Sequence, residues 1–216
     1  MSQAHLVVES LSCERGDRRL FADVSFTLRA GEALRIAGAN GAGKTTLLRA
    51  IAGLSQHYEG LVSWDGGNIH AQKATYLAQL LYLGHAPGVK SLLTPLENLR
   101  WWSKLHMPLI DDESVLIAAL ACVGLADYLH SPCVYLSAGQ QRRVALARLF
   151  IDNELANRQR LWVLDEPFTA VDAAGVHLIE QQFEKHLTDG GIVLLTTHQP
   201  IRSERFGCID LDVFAS

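Results

Sequence analysis

Gly38-Ala39-Asn40-Gly41-Ala42-Gly43-Lys44-Thr45 is the stretch that decides the fold. It fits the pattern GxxxxGKT, and its surroundings fit as well. Ala33 to Ala37 reads as a short apolar strand ending at Gly38, and Leu47, Leu48, Ile51 and Leu54 follow with helical spacing. In that setting the glycines let backbone N–H groups curl around phosphate oxygens. Lys44 supplies a point charge for the β and γ phosphates, the Thr45 hydroxyl is a candidate Mg²⁺ ligand, and the helix N-terminus adds its dipole. A glycine-rich turn with no ligand is the plainer reading, and the strand–turn–helix context argues against it.

Two further apolar runs end in chemistry-bearing residues. Leu161-Trp162-Val163-Leu164 leads into Asp165-Glu166. A buried parallel strand delivers its last residue to the ligand edge of a sheet. Asp165 there can hold a Mg²⁺ shell, and Glu166 can face an attacking water as general base. Ile192 to Thr197 is a second such strand and ends at His198, which can donate to a γ-phosphate. Taken singly, each could be a strand followed by a solvated polar turn.

The rest of the chain divides by pattern. Leu6-Val7-Val8, Val24 to Leu28 and Leu61 to Trp64 read as strands, the last running into a hairpin-type turn at Asp65-Gly66-Gly67-Asn68. Thr94-Pro95-Leu96-Glu97 has the form of a capping box, with Leu96, Leu99 and Trp102 on one helix face. Asp111-Asp112-Glu113 puts acid at a second helix start that Gly124 closes. Ser137 and Gln140 form another capping box and open a third helix, whose N-terminus beside Gly139 is a candidate anion site. Arg142, Arg143 and Arg148 on that helix are expected to form a solvated or salt-bridged face rather than a nucleic-acid patch. A last helix is expected from about Ala173 to Leu187. The pattern is an α/β core interrupted by a helical insert at about residues 86–135.

Composition bounds the function. The 216 residues are 49% apolar and 19% charged, enough for one domain with a real core. Lys and Arg number 19 against 23 Asp and Glu, a net charge of −4, so nucleic acid is not an expected partner. Mean hydropathy is +0.11, yet no apolar run reaches the roughly 18 residues of a bilayer span. The start, MSQAHLVVES, has neither a basic nor an apolar leader segment, so no signal peptide is expected. Little chain follows His198, and no regulatory domain is expected there. Cys13, Cys122, Cys133 and Cys208 are scattered without a CxxC, which argues for a reducing compartment and against zinc or covalent haem attachment.

The motifs together resemble the ATP-binding cassette (ABC) ATPase family. GANGAGKTT is similar to its Walker A loop, LSAGQ to its LSGGQ signature, LWVLDEP to its Walker B strand, TAVD to its D-loop, and His198 to its switch histidine. The resemblance implies an α/β P-loop ATPase with a mixed β-sheet core, an antiparallel β subdomain and a helical subdomain. The whole chain would be one nucleotide-binding domain. ATP and Mg²⁺ would be its cofactors. Gly38 through Thr46 would bind ATP, Thr45 and Asp165 the metal, with Glu166 and His198 catalytic. Ser137, Gly139 and Gln140 would act in trans on the ATP of a second copy, with Asp172 in the D-loop. Three positions depart from the family pattern. Ala138 replaces a glycine, Arg15 stands where many members stack an aromatic ring on adenine, and His85 stands at the glutamine-loop position. Gln79, the nearest glutamine, lies six residues too early for that role.

Leu11 to Arg15, Gly84 to Lys90, Leu136 to Arg148, LDEPFTAVD and TTHQP further resemble the ATPase subunits of bacterial cytochrome c maturation systems. That closer likeness implies haem export or release of a haem chaperone. It also implies integral membrane partner subunits and a peripheral position on the cytoplasmic face of the inner membrane. The substrate rests on the resemblance alone. The alternatives are another small-substrate ABC transporter and a soluble ABC ATPase of DNA repair or ribosomes, which usually carries coiled-coil inserts or paired cassettes. A small-molecule kinase would need a lid and acceptor site, and a GTPase an NKxD-type motif; neither is evident.

Overall fold

The computed structural model describes residues 5–16, 18–107, 112–151 and 160–215. Asp111, expected at a helix start, lies outside them. The chain forms two compact units, one of residues 1–82, 159–167 and 183–216 and the other of residues 83–158 and 168–182.

The first unit holds two sheets. Strands β1 (His5–Arg15), β2 (Arg18–Arg29), β4 (Glu59–Trp64) and β5 (Gly67–Asn68) form an antiparallel sheet in the order β2-β1-β4-β5. The β4–β5 turn is tight because Asp65 and Gly66 both take positive φ (49° and 82°), the primed geometry that matches strand twist. The second sheet has the order β6-β7-β8-β3-β9, with β3 (Ala33–Ala37), β6 (Leu80–Leu83), β7 (Leu161–Asp165), β8 (Ile192–Thr196) and β9 (Phe206–Asp210). Every residue of β7 and β8 is buried. That is why both read as unbroken apolar runs: parallel strands are covered on both faces.

Helix α1 (Lys44–Ile51) packs against β1 of one sheet and β7 and β8 of the other. Its buried Leu47, Leu48 and Ile51 join Leu6, Phe21, Trp64, Val163 and Leu194 in a single core. Leu54 does not continue the helix face as expected. Gly53 turns left-handed (φ 68°) after the helix ends, and Leu54 is 51% exposed. The sequence reading also missed the short helix α2 (Lys73–Ala78), β6 and the exposed edge strand β9.

The second unit contains α3 (Pro95–His106), α4 (Glu113–Cys122), α5 (Ala138–Leu146) and the start of α6 (Ala173–Thr188). The expected caps are present. Thr94 and Glu97 box α3, Asp112 caps α4, and Ser137 and Gln140 box α5. Leu96, Leu99 and Trp102 are all buried. The buried Asn98 side chain ties down residues 90–94, donating to the carbonyls of Lys90, Leu93 and Thr94 at 3.0–3.3 Å and accepting from the Lys90 amide. No helix among the described residues is long and apolar enough to cross a membrane.

His186 near the end of α6 carries a pH signature. Its ring stacks on Trp162 (3.8 Å between centroids), lies against Gly191, and has no hydrogen-bond partner for Nε2 among the described residues. Burial pushes its pKa from 6.5 down to about 4. The unfolded chain therefore takes up a proton, as pH falls through 6.5, that the folded chain refuses. The stability that the neutral His186 contributes is complete above pH 6.5 and is lost toward pH 4. We expect the urea midpoint to fall over that window in the native chain, and to fall less in His186→Phe, which keeps the stack and cannot titrate. Parallel pH curves for the two proteins would contradict this.

Candidate active site

The glycines of the loop between β3 and α1 are required by its shape. Gly38, Gly41 and Gly43 have φ of 135°, 85° and 98°. A Cβ at Gly43 would lie 3.0–3.2 Å from Phe21 and Leu20, so the β1–β2 hairpin rests on the loop. The helix that follows has no side-chain cap and no acid in its first turn, which leaves its first N–H groups and dipole for an anion. Lys44 Nζ donates to the carbonyls of Gly38 (2.6 Å) and Ala39 (3.0 Å). The Ala39 amide donates to Asp212 Oδ2 at 2.8 Å.

The parallel strands deliver the acidic groups to this loop. Pairing sets Asp165 beside Thr196 and Thr196 beside Ile36, so the ends of β7, β8 and β3 are level. Asp165 is 2% exposed and accepts from two hydroxyls, Thr45 Oγ1 at 2.8 Å and Thr196 Oγ1 at 2.7 Å. Two hard oxygens of Thr45 and Asp165 thus meet at the start of α1, a donor set that suits Mg²⁺ completed by phosphate and water. Among the described residues no three His, Cys, Asp or Glu side chains cluster as a metal cage.

Glu166 leaves the strand through a left-handed backbone (φ 50°), an uncommon conformation for a residue of this size. Its amide donates to Thr196 Oγ1 (3.0 Å) and Thr196 O (3.2 Å), which hold that turn. The carboxylate points toward His198, with Nε2 3.6 Å from Oε1. Arg15 is exposed at the end of β1, on the hairpin that covers Gly43.

The remaining expected site residues lie in the second unit. Ser137 Oγ accepts from the Gln140 amide and Gln140 Oε1 from the Ser137 amide, closing the capping box at the N-terminus of α5. A Cβ on Gly139 would contact Ala170 O at 3.4 Å, so LSAGQ and TAVD are neighbours. Asp172 Oδ1 accepts from the Gly175 amide at 2.8 Å. His85 is exposed.

One expectation is overturned. Arg142 and Arg148 are not solvated but 6% and 8% exposed. Arg142 donates to the carbonyls of Gly84 (2.6 Å) and His85 (3.4 Å), and Arg148 to that of Gly88 (3.1 Å) while lying over Trp102. Guanidinium can be buried there because unpaired main-chain carbonyls need its donors. Arg143 is half-buried and donates to Val123 O at 3.4 Å. Gln79 has a structural task, its Oε1 accepting from Trp64 Nε1 and Arg160 Nη1. Sequence reasoning missed Asp212 and the bridging role of Thr196, since neither belongs to a local pattern.

The ABC transporter family model matches residues 21–169. The cytochrome c biogenesis ATP-binding export protein CcmA of Escherichia coli K12 is 49% identical over 196 residues, covering 91% of this chain and 90% of that protein. Its namesake in Saccharophagus degradans is 47% identical over 214 residues, covering 96% and 93%. Among solved structures, an ATP-binding subunit of an ABC transporter superposes with a TM-score of 0.81 at 27% identity, over 94% of this chain and 85% of that one. A dimeric ATP-binding cassette in a post-hydrolysis state with ADP and Pi shares the fold, with a TM-score of 0.75 at 23% identity over 90% and 88%.

Proposed function

The chain belongs to the ABC transporter ATPase family, and from that premise we propose that it is the ATP-hydrolysing subunit of a cytochrome c maturation complex, powering haem export or release of a haem chaperone. The observation that carries the enzymatic part is the meeting of Thr45, Asp165, Glu166 and His198 at one sheet edge over the phosphate loop. The relatives' shared name, at 47–49% identity over nearly the whole chain, carries the biological part.

In this reading the loop amides, Lys44 and Thr46 hold the ATP phosphates. Thr45 and Asp165 hold Mg²⁺, which when bound offsets phosphate charge. Glu166 takes a proton from water as its oxygen attacks the γ-phosphorus and the bond to the β-phosphate oxygen breaks, leaving ADP and phosphate. His198, within reach of Glu166, donates to the γ-phosphate. Arg15 lies on the adenine through its planar guanidinium. His85 takes the place of the family's glutamine, and its carbonyl is anchored through Arg142 to the helix that starts at Ser137. Exposed Leu92, Trp101, Leu105 and Tyr135 of the second unit supply an apolar surface for the membrane subunits.

The signature works on a partner's ATP, so the active form is a dimer of this chain with Ser137, Gly139 and Gln140 of each copy closing over the other's loop. Mixing a Lys44→Ala chain with a Ser137→Arg chain tests this. Each is inactive alone, and each mixed dimer retains one intact composite site. Random mixing should restore about a quarter of the native ATPase rate. No recovery in a mixture shown to contain mixed dimers would contradict the in-trans arrangement.

A further inference from the structure

The strand register brings Arg15 and Arg18 face to face as the closing pair of the β1–β2 hairpin. Directly opposed residues on an antiparallel pair project to the same side, and like charges there are destabilising. Arg19 is neutralised by Glu14 at 3.1 Å. Arg15 and Arg18 are exposed, and neither has a carboxylate partner among the described residues, which do not include Asp17.

The side to which they project follows from the next residues. Cys13 pairs with Phe21 and Glu14 with Arg19, so Leu20 is an extra residue in β2. Such a bulge turns neighbouring side chains to one face. Leu20 and Phe21 are indeed both buried, at 8% and 0% exposure, and both lie against Gly43 of the phosphate loop. Cys13 shares that face, and so, by alternation, do Arg15 two residues on and Arg18 two residues before Leu20. Two opposed guanidinium groups therefore extend the surface that covers the loop. We infer that Arg18 is a second cation for the bound nucleotide, paired across the strands with Arg15, and that the polyanion relieves the repulsion between the two guanidinium groups. This rests on the reading of residues 38–46 as the nucleotide site and adds a binding residue to it.

The test uses the full chain, with ATP as probe and unfolding midpoints measured with and without it. Arg18→Ala should leave the nucleotide-free midpoint unchanged or raise it, while weakening ATP binding about tenfold and flattening its salt dependence. Arg18→Lys should keep most of the affinity. A residue with only a structural role would lower the nucleotide-free midpoint, and that result would overturn the inference. So would native ATP affinity in Arg18→Ala under conditions where Lys44→Ala has lost binding. If Lys44→Ala binds ATP as the native chain does, the reading of the loop itself fails, and this inference with it.

Discussion

Glu166→Gln should lower the rate of ATP hydrolysis by about 10²–10⁴, the usual worth of a general base, while leaving ATP binding intact. The substitution keeps the side chain's shape, and the main-chain N–H of residue 166 still donates to Thr196 Oγ1 and Thr196 O, so the left-handed turn persists. Lys44, Thr45 and the loop amides are untouched. The variant should therefore hold unhydrolysed ATP and accumulate as a closed dimer, visible by gel filtration with stoichiometric nucleotide. Single-turnover hydrolysis separates this outcome from a defect in product release. A rate within tenfold of the native chain would remove Glu166 from the role of base.

Gly60→Ala should be among the most destabilising single changes in the first unit. Gly60 has φ 101°, and a Cβ there would lie 2.5 Å from Ser10 O and 2.6 Å from Glu9 O. Both contacts are with main chain, at the irregularity where the β1–β4 register shifts between Glu9 and Ser12. No rotamer relieves them, so the strands must part. A left-handed penalty added to an overpacking cost is about 2–5 kcal/mol. In a chain of this size each kcal/mol moves the thermal midpoint by about 2–4 °C. The drop should be measured by calorimetry, and a midpoint within 2 °C of native at about that sensitivity would contradict the account. The damage should extend to nucleotide binding, because β1 also carries the hairpin that rests on Gly43.

Local chemistry explains what the sequence revealed. The phosphate loop, the two strands ending in Asp165 and Thr196, and the caps at Thr94, Asp112 and Ser137 all depend on residues close together in the chain. Their spacing is itself the physical requirement. Residues whose partners are distant were not legible. Asp212 holds the Ala39 amide from 173 positions away, and nothing around it marks that task. Arg142 and Arg148 look like a charged helix face, and only the fold reveals the carbonyls at residues 84–88 that they serve. Strand β9 is a mostly exposed edge with Gly207 inside it, so it lacks the apolar run that marked β7 and β8. Leu54 has the helical spacing of Leu47 and Ile51, but α1 stops at Ile51 and Gly53 turns the chain away before Leu54.

The central claim is that ATP hydrolysis by this chain drives maturation of c-type cytochromes, and the most direct measurement is made in cells. A strain whose only copy of this protein is the Glu166→Gln variant, shown by immunoblot to be present at native level, should contain no c-type cytochrome with covalently attached haem by haem staining. Its b-type cytochromes, which need no covalent attachment, should appear at normal level in the reduced-minus-oxidised spectrum. Normal c-type haem staining in that strain, with the variant inactive as an ATPase, would contradict the claim.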